Sequence, residues 1–156
     1  MRNRWGGIEQ VVLVPAINPD VTILHVQKSD RQGTARIEGL VFADIEQAKS
    51  ARHVILTCEE LVDARELRET PDRNQIPFFN VDAVVPLSHG AYPTACYRHY
   101  DYDPVYLNDY RQSAVDDNRY QQYLSTFIYG LKNHKDLLVK IGKARILKIK
   151  ADSRTG

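Results

Sequence analysis

Two adjacent carboxylates, Glu59 and Glu60, follow directly on the apolar run Val54-Ile55-Leu56-Thr57-Cys58. If His53 to Cys58 forms a buried strand, both acids fall just past its C-terminal end, where open α/β sheets place their ligands. A carboxylate there can act as a base, a nucleophile or a positioning group. It can equally cap the helix that follows, whose N-terminus favours negative charge. A second segment, Ser88-His89-Gly90-Ala91-Tyr92-Pro93, comes just after the third strand and so reaches the same edge. Gly90 permits a close backbone approach or a positive φ, while Tyr92 and Pro93 fix the crossing; a plain structural turn is the competing reading.

Other reactive residue types lack the company that chemistry requires. Cys58 and Cys96 have no base and orienting group identifiable beside them, so both read as buried structural thiols. His25, His53, His89, His99 and His134 are scattered, and no Cys-x-x-Cys or His-Glu-x-x-His spacing occurs. His99, Asp101 and Asp103 alternate as metal ligands on an extended strand would, but a solvated turn before Pro104 explains them better, so no metal site is expected. Gly6-Gly7 stands outside any strand-turn-helix context and offers no nucleotide fingerprint.

The elements that must position these residues are legible as alternating strands and helices. Val11 to Val14 is a short apolar run stopped by Pro15. After the turn Asn18-Pro19-Asp20, the stretch Val21 to Val26 is β-branched and nearly continuous in apolarity, the pattern of a strand buried on both faces. A polar loop ends in Gly33, and Ala35 to Gly39 reads as a short strand. Asp44 is placed to open a helix in a capping-box arrangement with Gln47. Leu61 to Glu69 predicts a short helix stopped before Pro71, and Val81 to Val85 a third strand. Leu87 to Asp103 predicts an ordered irregular crossing. Beyond Pro104 the periodicity turns helical: Tyr106, Leu107 and Tyr110 share a face. Tyr120, Tyr123, Leu124, Phe127 and Ile128 keep i, i+3, i+4 spacing, with Gly130 as the C′ residue. Asn133 is a cap for a further helix that ends at Gly142, and Lys143 to Lys150 reads as a last basic helix. Its cations suit a solvated face better than a polyanion site. Strands alternating with helices predict an α/β fold with an open, mostly parallel sheet flanked by helices and a helical C-terminal segment.

Composition sets the outer bounds. A chain of 156 residues fits a single domain, 1–156, able to bury roughly two thirds of its unfolded surface. With 21 Lys and Arg against 20 Asp and Glu, the net charge of +1 exerts no global pull toward nucleic acid or anionic membrane. No apolar run approaches the ~20 residues of a spanning helix, and no signal-peptide pattern follows the charged N-terminus. Two cysteines exclude a disulfide-stapled class. A cytoplasmic domain is the expectation.

The order and wording of several segments carry a resemblance. Val14-Pro15-Ala16-Ile17-Asn18-Pro19-Asp20 leads to His25-Val26-Gln27-Lys28-Ser29-Asp30 and Gly33, then Val54-Ile55-Leu56-Thr57-Cys58-Glu59-Glu60-Leu61-Val62. Val81-Asp82-Ala83-Val84-Val85-Pro86 and His89-Gly90-Ala91-Tyr92-Pro93 follow, with Tyr123-Leu124 and Gly142 in the helical end. Together they resemble the C-terminal half of the alpha subunit of family I CoA-transferases, the glutaconate CoA-transferase A-subunit type. The resemblance implies a coenzyme A thioester as substrate, no tightly bound cofactor, and a beta subunit whose glutamate forms a glutamyl-CoA thioester. It also implies a separate N-terminal half of the alpha subunit, carrying a glycine-rich oxyanion segment that has no match here, nor is there a Ser-Glu-Asn-Gly-type motif. No catalytic residue is therefore expected in this chain. Glu59, Glu60, His89, Gly90 and Tyr92 become candidate substrate-binding residues, shaping an acyl pocket or the junction between subunits. Thr34 stands after Gly33 where the pattern has asparagine, so a different turn is expected there. A non-catalytic assembly module and a component of a hydrolase that opens rings of CoA thioesters are the alternatives. An isolated half should leave a sheet edge and apolar faces open and form a homo-oligomer.

Overall fold

A computed structural model describes residues 4, 6–8, 10 and 12–151. Its sheet has four strands in the order β2-β1-β3-β4: β1 (Val21–Ser29), β2 (Ala35–Arg36), β3 (His53–Leu61) and β4 (Ala83–Pro86). β1, β3 and β4 are parallel, and only the two-residue β2 runs antiparallel, against the end of β1. Helix α1 (Asp44–Ser50) lies in the connection from β2 to β3. Helix α2 (Ala64–Glu69) and two 3₁₀ turns, Pro71–Arg73 and Phe78–Asn80, connect β3 to β4. This is the expected α/β fold with a mostly parallel sheet.

Strand alternation decides where the core sits. One face of the sheet presents Leu24 and Val26 of β1 and Val54, Leu56 and Cys58 of β3, which pack with Ala35, Ala48 and Ile76. Every one of these is at most 5% exposed. The other face departs from the expectation of two-sided burial: Val21 is 51% exposed, Ile23 67% and Val85 42%. The apolar pattern is present in β1, but among the described residues these three positions are left uncovered.

The loop after β1 is fixed by Asp30, whose Oδ1 accepts the N–H groups of Gln32, Gly33 and Thr34 at 2.9 to 3.0 Å. Gly33 takes φ 102°, and a Cβ there would sit 2.6 Å from Val81 Cβ. The left-handed residue is thus Gly33 itself, and Thr34 keeps a negative φ.

From Leu87 the chain crosses without regular structure to a helical unit. Its helices are α3 (Pro104–Ser113), α4 (Asp117–Leu124), α5 (His134–Ile141) and α6 (Lys143–Ile149). A π turn, Ser125–Tyr129, extends α4. Asn133 caps α5 as expected, accepting from the Asp136 N–H. Gly130 has φ −78°, so the π turn ends without the left-handed residue a C′ glycine supplies. Tyr92, Cys96, Tyr100, Tyr106 and Ile149 form a second core.

Several element boundaries differ from the sequence reading: β1 runs on to Ser29, β2 stops at Arg36, α2 begins at Ala64 and β4 spans Ala83–Pro86. α1 is capped by Ala43 without a side-chain bond, and Asp44 instead accepts from the Phe42 N–H. In the apolar run before Pro15, Val12 to Val14 are 79 to 90% exposed and belong to no regular element, while Val11 lies outside the described residues. β3 runs on to Leu61, so Glu59 and Glu60 belong to the strand rather than following it. No helix among the described residues is long and apolar enough to cross a membrane.

Candidate functional site

The parallel register brings His25 of β1 opposite Thr57 of β3, two residues before Glu59. These three side chains therefore share the face that carries Ile23, at the C-terminal end of the strands. Glu59 Oε1 accepts from His25 Nε2 at 2.8 Å and from the Tyr100 hydroxyl at 2.7 Å. Glu59 Oε2 accepts the His89 N–H at 2.8 Å. A charged carboxylate can only accept, so the proton on His25 facing it must be on Nε2. His25 Nδ1 lies 2.8 Å from the Thr57 hydroxyl, which also donates to the Leu24 carbonyl.

Burial alone would raise the Glu59 pKa, but the bonds from His25, the His89 N–H and Tyr100 outweigh it and hold the carboxyl at about 2. The Glu59 side chain is only 3% exposed. It is a permanent anion with its near lone pairs taken, which suits positioning and disqualifies it as a neutral-pH base. Tyr100, buried and bonded to that anion, has its hydroxyl pKa pushed well above the ordinary value. The same oxygen accepts the Ala91 N–H at 3.0 Å, so Glu59 holds the His89–Ala91 backbone at two points.

His89 is placed under constraint. Its φ is 60°, a left-handed conformation rare for a residue with a Cβ. Its ring stacks on Tyr100 at 4.7 Å, and Nδ1 lies 2.9 Å from Ser88 Oγ. Burial lowers its pKa against the opposing pull of Glu59. Gly90 supplies close approach rather than positive φ: a Cβ there would lie 2.6 Å from His25 Cε1.

Of the residues singled out in the sequence, Glu59, His89 and Gly90 thus meet at one place. Glu60 points to the other side of β3, half exposed, 3.6 Å from Lys28 and 3.9 Å from His99. Tyr92 turns into the helical core, where its hydroxyl donates to Asp103 Oδ2 at 2.7 Å and its ring meets Tyr106. Asp103, the N-cap of α3, also accepts from the Tyr106 N–H and from the Arg145 guanidinium. Burial opposes ionisation there too, yet Arg145, the Tyr106 N–H and Tyr92 hold Asp103 at about 2. The loop from His89 to Tyr92 is therefore strung between two buried carboxylates. Sequence reasoning misses His25 and Tyr100: His25 is one polar group in an apolar run and Tyr100 one of many polar residues in the crossing, and only strand register and the crossing bring them to Glu59.

His99, Asp101 and Asp103 take separate partners and make no ligand set. Among the described residues, His25, Glu59 and Cys96 bring one ligand atom each within 4.8 Å of one another. Glu59 already accepts three hydrogen bonds, and burial with the nearby Glu59 charge pushes the Cys96 thiol up to about 12. That donor set behaves as a satisfied hydrogen-bonded core.

Residues 3–87 match the family described as "Coenzyme A transferase". The chain is 38% identical over 142 residues to the glutaconate CoA-transferase A-subunit of Acidaminococcus fermentans, covering 91% of this chain and 44% of the relative. It is 29% identical over 139 residues to the cholesterol ring-cleaving hydrolase IpdA subunit of Rhodococcus jostii, covering 86% and 47%. The crystal structure of glutaconate coenzyme A-transferase from A. fermentans superposes with a TM-score of 0.92 at 36% identity, over 97% of this chain and 48% of that one. The chain spans about half the length of the relatives it matches.

Proposed function

This chain belongs to the coenzyme A transferase family, and we propose that it forms the C-terminal half of an A-type subunit. In this reading it supports transfer of CoA between an acyl-CoA and a carboxylic acid, together with a beta subunit that carries the catalytic glutamate. One observation carries the division of labour. The carboxylate best placed for chemistry, Glu59, is already committed to three donors and held at about 2. A nucleophilic glutamate needs a free oxygen facing substrate, so it must come from elsewhere. Glu59 then acts as a clasp that sets the His89–Gly90 backbone as one wall of the acyl pocket. Glu60, on the other side of β3, takes no part in that wall, and Tyr92 ties the loop to the helical unit. CoA enters as the substrate thioester, and no resident cofactor is invoked.

Acyl-CoA exchange tests the reading. The purified chain should exchange nothing, and a reconstituted assembly containing it, the complementary half and a beta subunit should exchange CoA. Exchange by the chain alone, abolished in Glu60→Gln, would make Glu60 the nucleophile and refute the proposal. The likeness to the ring-cleaving hydrolase component supports a second reading, in which the same assembly hydrolyses a cyclic CoA thioester. Ring-opened product formed without an acceptor acid distinguishes it.

A further inference from the structure

A second cluster of charge lies beside the short strand β2. Arg36 pairs in register with Lys28, near the C-terminal end of β1, so it stands at the edge where parallel strands present ligands. It is 7% exposed. Its Nη2 donates to Thr70 Oγ1 at 2.8 Å, to Asn74 Oδ1 at 3.0 Å and to the Thr70 carbonyl at 3.2 Å, and its Nε donates to Asn74 Oδ1 at 3.3 Å. Every one of these acceptors is neutral. Among the described residues no carboxylate pairs with Arg36, and its Nη1 donates to nothing. A guanidinium is a permanent cation, and burying one is ordinarily offset by an anion. No enclosed side-chain nitrogen among the described residues lacks a partner, so Nη1 is reached from outside.

Arg36 lines a cavity of about 350 Å³ together with Arg73 and Arg98. Three separate elements deliver these cations: the end of β2, the 3₁₀ turn Pro71–Arg73 and the irregular crossing. The Arg73 side chain is exposed and has no hydrogen bond or ion pair among the described residues. Arg98 takes φ 69°, the left-handed region that suits glycine or asparagine. Its guanidinium lies 5.6 Å from the Tyr97 ring centre and 3.8 Å from Glu38 Oε2. A bend at this point does not need an arginine, and strain held at a charged residue points to a use for its side chain. Glu38 and Asp72 also line the cavity, so three cations face two carboxylates and one positive charge is left over.

We propose that this cavity binds a phosphate group, free or carried on a small ester, with Arg36 Nη1, Arg73 and Arg98 as its donors. Three guanidinium groups arriving from three elements suit the several oxygens of a tetrahedral phosphate, whereas one fork already satisfies a planar carboxylate. None of His25, Glu59, His89 and Tyr100 lines the cavity. The inference therefore goes beyond the CoA-transfer reading and stands if no exchange is ever found.

Inorganic phosphate and ADP, titrated into the chain by calorimetry at fixed ionic strength, test it, with the arginine Nε–H signals followed by NMR. Inorganic phosphate should bind with a Kd of about 1 mM or tighter and shift the Arg36 Nε–H signal. Arg73→Gln and Arg98→Gly should each weaken binding roughly tenfold. Glycine accepts the left-handed backbone, so Arg98→Gly should keep the thermal midpoint while losing the ligand, which misfolding cannot imitate. Arg111→Gln removes the same charge from an exposed position on α3 and should bind as wild type. ADP binding tighter than phosphate, and weakened by the same two variants, assigns the site to an ester; equal or weaker binding assigns it to the free ion. Binding of neither probe, a loss in Arg111→Gln equal to that in Arg73→Gln, or undiminished binding in both Arg73→Gln and Arg98→Gly would each overturn the proposal.

Discussion

Replacing Glu59 by glutamine is the substitution that most directly measures the clasp. Glutamine keeps the shape but trades one accepting oxygen for an NH₂ group. Oε1 meets two donors and Oε2 a third, so in either orientation the new donor faces another donor. The carboxyl sits at about 2 against an ordinary 4.5, and at 1.36 kcal/mol per pKa unit this difference amounts to about 3 kcal/mol of stability at neutral pH. For a chain of this size that corresponds to a thermal midpoint lower by roughly 10 °C. The sign with pH is fixed by the depressed value. The contribution is complete above about pH 4.5 and disappears as pH falls through about 2. Thermal unfolding followed by circular dichroism should therefore show the gap between wild type and Glu59→Gln narrowing steadily across that window. Asp103, depressed for similar reasons, keeps part of the acid sensitivity in both proteins. A loss below about 0.5 kcal/mol at pH 7, or a gap unchanged from pH 7 to pH 2.5, would refute the claim that three donors hold an ionised Glu59.

Two further substitutions or probes address neighbouring parts of the same network. Gly90→Ala places a Cβ 2.6 Å from the His25 ring and 2.9 Å from the Leu87 carbonyl, so it should destabilise by about 1–3 kcal/mol. Adding His25→Ser makes room, and the double variant should lose less than the sum of the two single losses; strict additivity counts against the contact. Cys58 and Cys96, 0% and 4% exposed with thiols raised by burial, should resist a thiol reagent in the native protein and react in urea. Rapid native labelling of either would contradict its place in the core.

What the sequence made legible follows from how local each signal is. The run from His53 to Cys58 announces a strand, and Asn133 announces its helix, because periodicity and capping are settled within a few residues. The end of β3 was not legible, because acidic residues seldom continue a buried strand. Here Glu59 continues it because His25, the His89 N–H and Tyr100 satisfy its charge. His25 is 34 positions from Glu59 and stands in the sequence as one polar residue in an apolar run. Only the pairing of β1 with β3 makes the two neighbours. The apolarity of Val21 to Val26 was equally legible, but among the described residues Leu24 and Val26 are buried while Val21 and Ile23 stay exposed.

The two carboxylates that bracket the loop explain why so irregular a crossing is ordered. From Leu87 to Asp103 the backbone is held by turns and two isolated bridges, Cys96–Tyr100 and Tyr100–Lys150, rather than by a continuous ladder, and such segments are ordinarily mobile. Glu59 takes the His89 N–H and, through Tyr100, the Ala91 N–H; Asp103 takes the Tyr92 hydroxyl and returns it to α3 and to Arg145 of α6. Sheet and helical unit are thereby joined through four loop residues whose two anchors are both ionised above about pH 4. A buried anion with several donors costs desolvation but gains charge-assisted bonds, and losing one donor leaves the charge poorly compensated. The loop should thus hold one conformation near neutral pH and loosen from both ends together in acid. The loop thus takes its rigidity from two buried anions rather than from a strand ladder.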